Sequence, residues 1–170
     1  GYRPAEFDDQ GIPAATRGAR MTESAAIVQR LLSGESVTVD GKFTKLKDIK
    51  IVPPALQRPH PPLWMGAIAP KAIERAARMG FHFQAVGPSV MDKMYDENLR
   101  KFGRNPADYN IAQLRAVYVA KSRSEAWELA AKPLHFMASC YAQWFAEAGD
   151  QPGDEKAIEG IASVDEMISK

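Results

Sequence analysis

The residues Gly66-Ala67-Ile68-Ala69, followed by Pro70 and Lys71, form the stretch best suited to holding a ligand. The short apolar run Leu63-Trp64-Met65 precedes them and predicts a buried strand over about 62–65. Gly66 frees the backbone for a tight turn. Pro70 suits the first turn of a helix, where a missing N–H costs nothing. A strand, a small-residue turn and a helix N-terminus gather unpaired amides at the positive end of the helix dipole. The chemistry this favours is anion binding. Lys71 can add a charge there, although a lysine on a helix surface is more commonly just solvated. An ordinary strand-to-helix turn would use the same residues, so both readings stand.

Other polar residues fall where strands are expected. His82 and Gln84 alternate with Phe81 and Phe83, and Gln113 and Arg115 lie in the following strand. In a parallel strand covered on both faces, polar side chains are unexpected. Either they line an interior near a ligand or the strand is only half covered, and a buried Arg115 would need a partner. His60 sits among prolines and reads as exposed. His135 reads as helix surface or a satisfied core residue. Glu6 orients a loop or pairs with Arg17 or Arg20. No His/Cys/Asp/Glu spacing predicts a metal, and no serine or cysteine nucleophile motif is present.

The elements that must position these residues follow from hydrophobic period and turn chemistry. The span 53–62 holds five prolines and reads as a stiff extended lead-in. Before it, 1–19 reads as a loop with one helical turn near 5–9. A helix is expected over 21–33, with Thr22 as N-cap and Gly34 ending it. Val37 to Phe43 reads as a hairpin whose Asp40-Gly41 makes a type I′ turn, and 46–52 is extended. After the central unit of 53–80 come a helix over 70–79 ended by Gly80, a strand over 81–86, and a loop 87–89. Ser89 then caps a helix over 90–102. A turn with Pro106 leads to a long strand over 110–120, ending in Val117-Tyr118-Val119. Ser122-x-x-Glu125 is a capping box that opens a long helix. It carries Trp127, Ala130, Leu134, Met137, Tyr141, Trp144 and Phe145 on one side, read as core, and Pro133 should kink it. A loop over 150–154 and one or two short helices over 156–169 close the chain. Strand, helix, strand, helix, strand, helix with short loops predicts parallel βαβ units, an α/β fold.

The chain has 170 residues, which allows a single domain over 1–170. A net charge of +1 leaves no electrostatic footprint for nucleic acid or an anionic membrane. No run is long enough to span a bilayer. The polar N-terminus, broken by Pro4, Gly11 and Pro13, does not read as a signal peptide. The single cysteine, Cys140, excludes an internal disulfide and fits a reducing, cytoplasmic setting.

Two stretches together resemble one family. PPALQRPHPPLWMGAIAPKAIERAARMG, residues 53–80, is similar to a segment of the bacterial-luciferase-like flavin monooxygenases. There the pattern reads P-x-x-Q-x-P-x-P-P, a hydrophobic run, Gly-Gly or Gly-Ser, then an alanine-rich helix. Upstream, Gly1-Tyr2-Arg3-Pro4-Ala5-Glu6-Phe7 with Gly11-Ile12-Pro13 and Arg17 resembles a second motif of that family. The resemblance covers about 1–131. It implies a partial (β/α)8 TIM barrel, the middle-to-late part of a fold of roughly 250 residues. It also implies a flavin-dependent oxidoreductase in which FMN, or a deazaflavin, reacts with oxygen or passes hydride to a small organic substrate. On that basis the phosphate is expected at Gly66, Ala67, Ile68 and Lys71, with Tyr2 hydrogen-bonding it. The family often has a second glycine at the position of Ala67, whose Cβ limits backbone approach. The ring-facing residues would come largely from strands this chain lacks, so no catalytic base is named. The remaining expectations are a small-molecule substrate, no nucleic acid or membrane partner, and a homo-oligomer. The alternative is a truncated, non-catalytic lobe that acts as a self-association or interaction module, because unpaired strand edges recruit partners.

Overall fold

The computed structural model describes residues 1–85, 90–149 and 161–169. These separate into two compact units, one of 16–114 and one of 1–15 with 115–170.

The first unit holds the parallel sheet. Strands β3 (Trp64–Gly66), β4 (His82–Ala85) and β5 (Ile111–Gln113) pair in chain order. Helix α3 (Pro70–Met79) connects the first pair and α4 (Val90–Lys101) the second. The register sets Trp64 beside His82, and Gly66 beside Gln84, which in turn lies beside Ala112. Side chains alternate along a strand, so Met65, Phe83 and Ala85 face the helices. There they pack with Ile73, Ala76 and Ala77 of α3 and Tyr95 and Leu99 of α4, all buried. The Tyr95 ring stacks on Phe83 at 5.0 Å and its hydroxyl donates to the Phe81 carbonyl at 2.6 Å. Burial pushes its phenol well above the usual value of 10.0. α3 ends as its sequence dictates, with Gly80 at φ +71. Arg104 then fills the space a side chain at Gly80 would need and donates to the Arg78 carbonyl at 3.1 Å.

Helix α2 (Arg17–Leu32) starts four residues before the expected Met21. Thr22 is not its N-cap. It sits inside the helix, its hydroxyl donating to the Gly18 carbonyl at 3.0 Å and accepting from Arg75 Nε at 3.0 Å. Mid-helix threonine often bonds backward in this way, so residue type alone misplaced the cap. Gly34 ends the helix at φ +86, as expected. The hairpin is present as β1 (Val37–Asp40) and β2 (Lys45–Ile49), but the two-residue type I′ turn is not. Asp40 pairs with Lys45 across a four-residue loop, and Gly41 is not at positive φ. The Glu23 carboxylate holds that loop, accepting from the Lys42 and Phe43 amides at 3.0 and 3.1 Å. A Cβ on Gly41 would lie 2.7 Å from that carboxylate, so the glycine serves close approach.

β5 is far shorter than the strand expected over 110–120. Ala85, the last residue of β4, pairs with Gln113. Val117, Tyr118 and Val119, expected to end the longer strand, are exposed. The loop 87–89 and the Ser89 cap lie outside the described residues, as does the loop over 150–154.

In the second unit, α1 (Pro4–Asp9) accompanies α5 (Arg123–Ala148) and α6 (Val164–Ile168). Ser122 Oγ accepts from the Glu125 amide at 3.1 Å, the first half of the expected capping box. The Glu125 carboxylate reaches the Lys121 amide instead of that of Ser122. A complete box caps α6 at Ser163 and Glu166. α5 runs through Pro133 as one helix. Its stripe is not the core that the sequence suggests. Only Ala130, Ala131 and Ala142 are buried on α5, and Met137 and Tyr141 are exposed.

Candidate functional site

At the C-terminal end of β3, Gly66 closes the strand and Ala69 sits extended as the N-cap of α3, with Pro70 at the first helical position. Ala69 has no side chain to cap the helix. Its carbonyl instead accepts from the Ala72 and Ile73 amides at 2.8 and 3.1 Å. Among the described residues, no backbone hydrogen bond uses the amides of Ile68, Ala69 or Lys71. Unpaired N–H groups at a helix N-terminus need an outside acceptor, and an anionic oxygen suits them best.

The reason for a glycine at this turn differs from the expected one. Gly66 is not at positive φ, so no tight left-handed turn depends on it. A Cβ there would meet only the Gln84 carbonyl, at 3.9 Å. Its contribution is open space above the strand end. Ala67 does not obstruct that space, because its methyl group is buried in the core with Met65. Ile68 is half-buried and Lys71 exposed at the start of α3. These residues fit a phosphate, which the three free amides would hold.

The sheet face turned away from the helices carries Trp64, His82 and Gln84. His82 and Gln84 are therefore on the non-core face, but their surroundings differ. The His82 ring lies 4.8 Å from Trp64 and 5.9 Å from Tyr109, and its Nδ1 accepts from the Asn110 amide at 3.0 Å. Trp64 of β3 and the residues leading into β5 have thus claimed it. The Gln84 side chain is exposed and makes no hydrogen bond to a described residue. Gln113 does not join this face. It projects on the helix side, and its amide nitrogen donates to both Asp92 carboxylate oxygens, at 2.9 and 2.8 Å. Arg115 follows β5 and is exposed.

Tyr2 belongs to the other unit, so the phosphate role given to it rests on the resemblance alone. Its ring stacks on Phe145 at 4.8 Å, and burial is the first cause of a raised phenol pKa, ahead of nearby Tyr141. Beside it, the Arg3 guanidinium lies 4.8 Å from the Trp144 ring centre and 3.7 Å from both Glu6 and Glu147. Glu6 thus pairs with Arg3, three residues away. His60 is half-buried, contrary to expectation. It bonds the Pro61 carbonyl at 2.8 Å and Gln29 at 3.1 Å, pinning the proline-rich lead-in to α2. His135 is half-buried on α5. Two residues escaped the sequence reading. Asp92 carries a signal, an acidic residue in the first turn of α4. Ala112 carries none, because only the register reveals that it flanks Gln84. Among the described residues, no group of three His, Cys, Asp or Glu could hold a metal, and no helix is long and apolar enough to cross a membrane.

Against this geometry the comparisons with known proteins are consistent. The chain is 26% identical over 141 residues to the oxygenase component of a flavin-dependent trigonelline monooxygenase from Acinetobacter baylyi, covering 79% of this chain and 39% of that protein. It is 30% identical over 127 residues to a 5,10-methylenetetrahydromethanopterin reductase from Methanolobus tindarius, covering 72% and 38%. The chain thus spans about two fifths of these relatives' length. The crystal structure of the monooxygenase RslO1 from Streptomyces bottropensis matches its fold with a TM-score of 0.68 at 21% identity, over 99% of this chain and 63% of that one. The fold is α/β, part of a luciferase-like TIM barrel with parallel strands and a small hairpin insertion. Residues 1–168 match the model of the luciferase-like monooxygenases, and the chain belongs to that family.

Proposed function

We propose that this chain supplies the phosphate-binding part of the cofactor site in a flavin-dependent oxidoreductase of the monooxygenase type. FMN is the proposed cofactor, with a deazaflavin as the alternative, and a small organic molecule the substrate. The observation that carries this reading is the set of unused amides at Ile68, Ala69 and Lys71 beside the open floor at Gly66. The reduced flavin, when bound, supplies the electrons passed to oxygen or substrate. The chain's own residues bind and orient it. The turn fixes the phosphate through backbone donors and α3 adds its positive dipole end. Trp64, 45% exposed on the non-core face, and its neighbour His82 add an apolar, rigid flank there. A cytoplasmic location belongs to the same proposal and rests on the lone cysteine.

The test is Gly66→Asp in the full-length protein. The site has room for the side chain, so the fold should survive. A carboxylate facing the phosphate would repel it and draw it off the backbone amides. FMN binding should weaken ten- to a hundredfold, about 1.5–3 kcal/mol. Riboflavin lacks the phosphate and should bind almost as before. Equal losses for the two ligands would place the phosphate elsewhere.

The alternative, a self-associating lobe, has its own observation. Val117 and Val119 are 81% and 87% exposed, next to a groove of about 460 Å³ lined by Tyr118, Trp127 and Leu134. Exposed apolar surface of this kind favours a protein partner, and homo-oligomerisation is the form proposed.

A further inference from the structure

The row Gly66, Gln84, Ala112 crosses the three parallel strands at one level. Its middle member is the only one with a polar side chain. It is flanked by the two smallest residues available, so the floor on both sides of it is open. A Cβ at Gly66 would touch nothing but a backbone carbonyl at 3.9 Å. Two residues earlier on the same face, His82 is held by Trp64, Tyr109 and the Asn110 amide. Gln84 has no such partner among the described residues. Its carboxamide offers both donors and an acceptor, one strand spacing (~4.8 Å) from the end of the turn at Gly66.

We propose that the Gln84 carboxamide hydrogen-bonds the hydroxyls of the ribityl chain of the cofactor. This rests on the phosphate reading. A flavin phosphate is joined to its ring through a polyol, so a group one strand from the phosphate turn meets that polyol next. Hydroxyls both donate and accept, and a carboxamide matches both roles. FMN and the deazaflavin F420 share the ribityl chain, so the assignment holds for either cofactor.

Three ligands separate the contributions in the full-length protein. Gln84→Ala should weaken FMN and riboflavin equally, three- to tenfold, the size of one or two neutral hydrogen bonds. Lumiflavin, which has no ribityl chain, should bind unchanged. The melting temperature should hold, because the side chain supports nothing in the fold. Gln84→Glu keeps the acceptors and should restore much of the riboflavin affinity, while its charge lowers that for FMN. F420 and its phosphate-free deazariboflavin core form the parallel arm if flavins fail to bind. A loss confined to FMN would put Gln84 at the phosphate and overturn the assignment. A loss shared by lumiflavin would put it at the ring, and no loss with any ligand would remove it from the site; either outcome overturns the proposal. Failure of the phosphate reading shows separately, as a riboflavin loss in Gly66→Asp.

Discussion

The parallel sheet with its two helices and the long helix α5 are both rich in large apolar residues, yet only one of them makes a core. In the sheet unit, Phe83, Ile73, Leu99 and Tyr95 are completely buried. On α5, which carries three tyrosine or tryptophan residues and two phenylalanines, the buried residues are alanines. The difference lies in what each element faces. A strand between two others, under two helices, meets apolar groups along its whole inner face. A helix stripe with the same composition gains little unless a matching surface covers it. Aromatic content therefore says how much burial is available, and the neighbours decide how much occurs.

The sharpest way to break this comparison is a matched pair of truncations. Phe83→Ala should destabilise by about 3–5 kcal/mol, as for a fully enclosed ring. Trp144→Ala should cost only about 1–2 kcal/mol, for a half-buried ring under one guanidinium. Chemical denaturation of the two variants reads the difference. Equal losses would mean α5 is as well enclosed as the sheet.

A smaller effect sharpens the account of the core. Tyr95→Phe removes one buried hydrogen bond and should cost about 1 kcal/mol. The pH dependence carries a sign. The phenol's pKa is raised by folding, so its contribution is fully present below the ordinary value of 10.0 and declines as pH rises above it. The wild type should lose stability in strong alkali faster than Tyr95→Phe. Parallel alkaline profiles would mean that this ring ionises as easily folded as unfolded.

The smallest effect on stability should come from the exposed segment after β5. Val119→Ser should leave folding stability within about 0.5 kcal/mol. If this segment is a self-association surface, sedimentation at micromolar concentration should shift towards monomer in the variant. An unchanged oligomer would locate the interface elsewhere.

The amino-acid sequence by itself determined the elements whose ends are set by local chemistry. Pro70 and Gly80 bound α3 because one lacks a donor and the other accepts positive φ. The alternation of Phe81, Phe83 and Ala85 with His82 and Gln84 was enough to mark β4 as two-faced. Two motifs in order were enough to point to the family. Thr22, Asp40-Gly41 and Val117-Tyr118-Val119 misled because each has an adequate local reading that the tertiary structure overrode. Arg75 meets the first from another helix, Glu23 occupies the second, and the third lies exposed beyond β5. The site shows the same division. Gly66 and Pro70 are visible in the sequence as a turn and a helix start. That Gln84 stands between Gly66 and Ala112, while His82 is already held, depends on strand register. Register is fixed by contacts between residues far apart in the chain, so only the tertiary structure decides it.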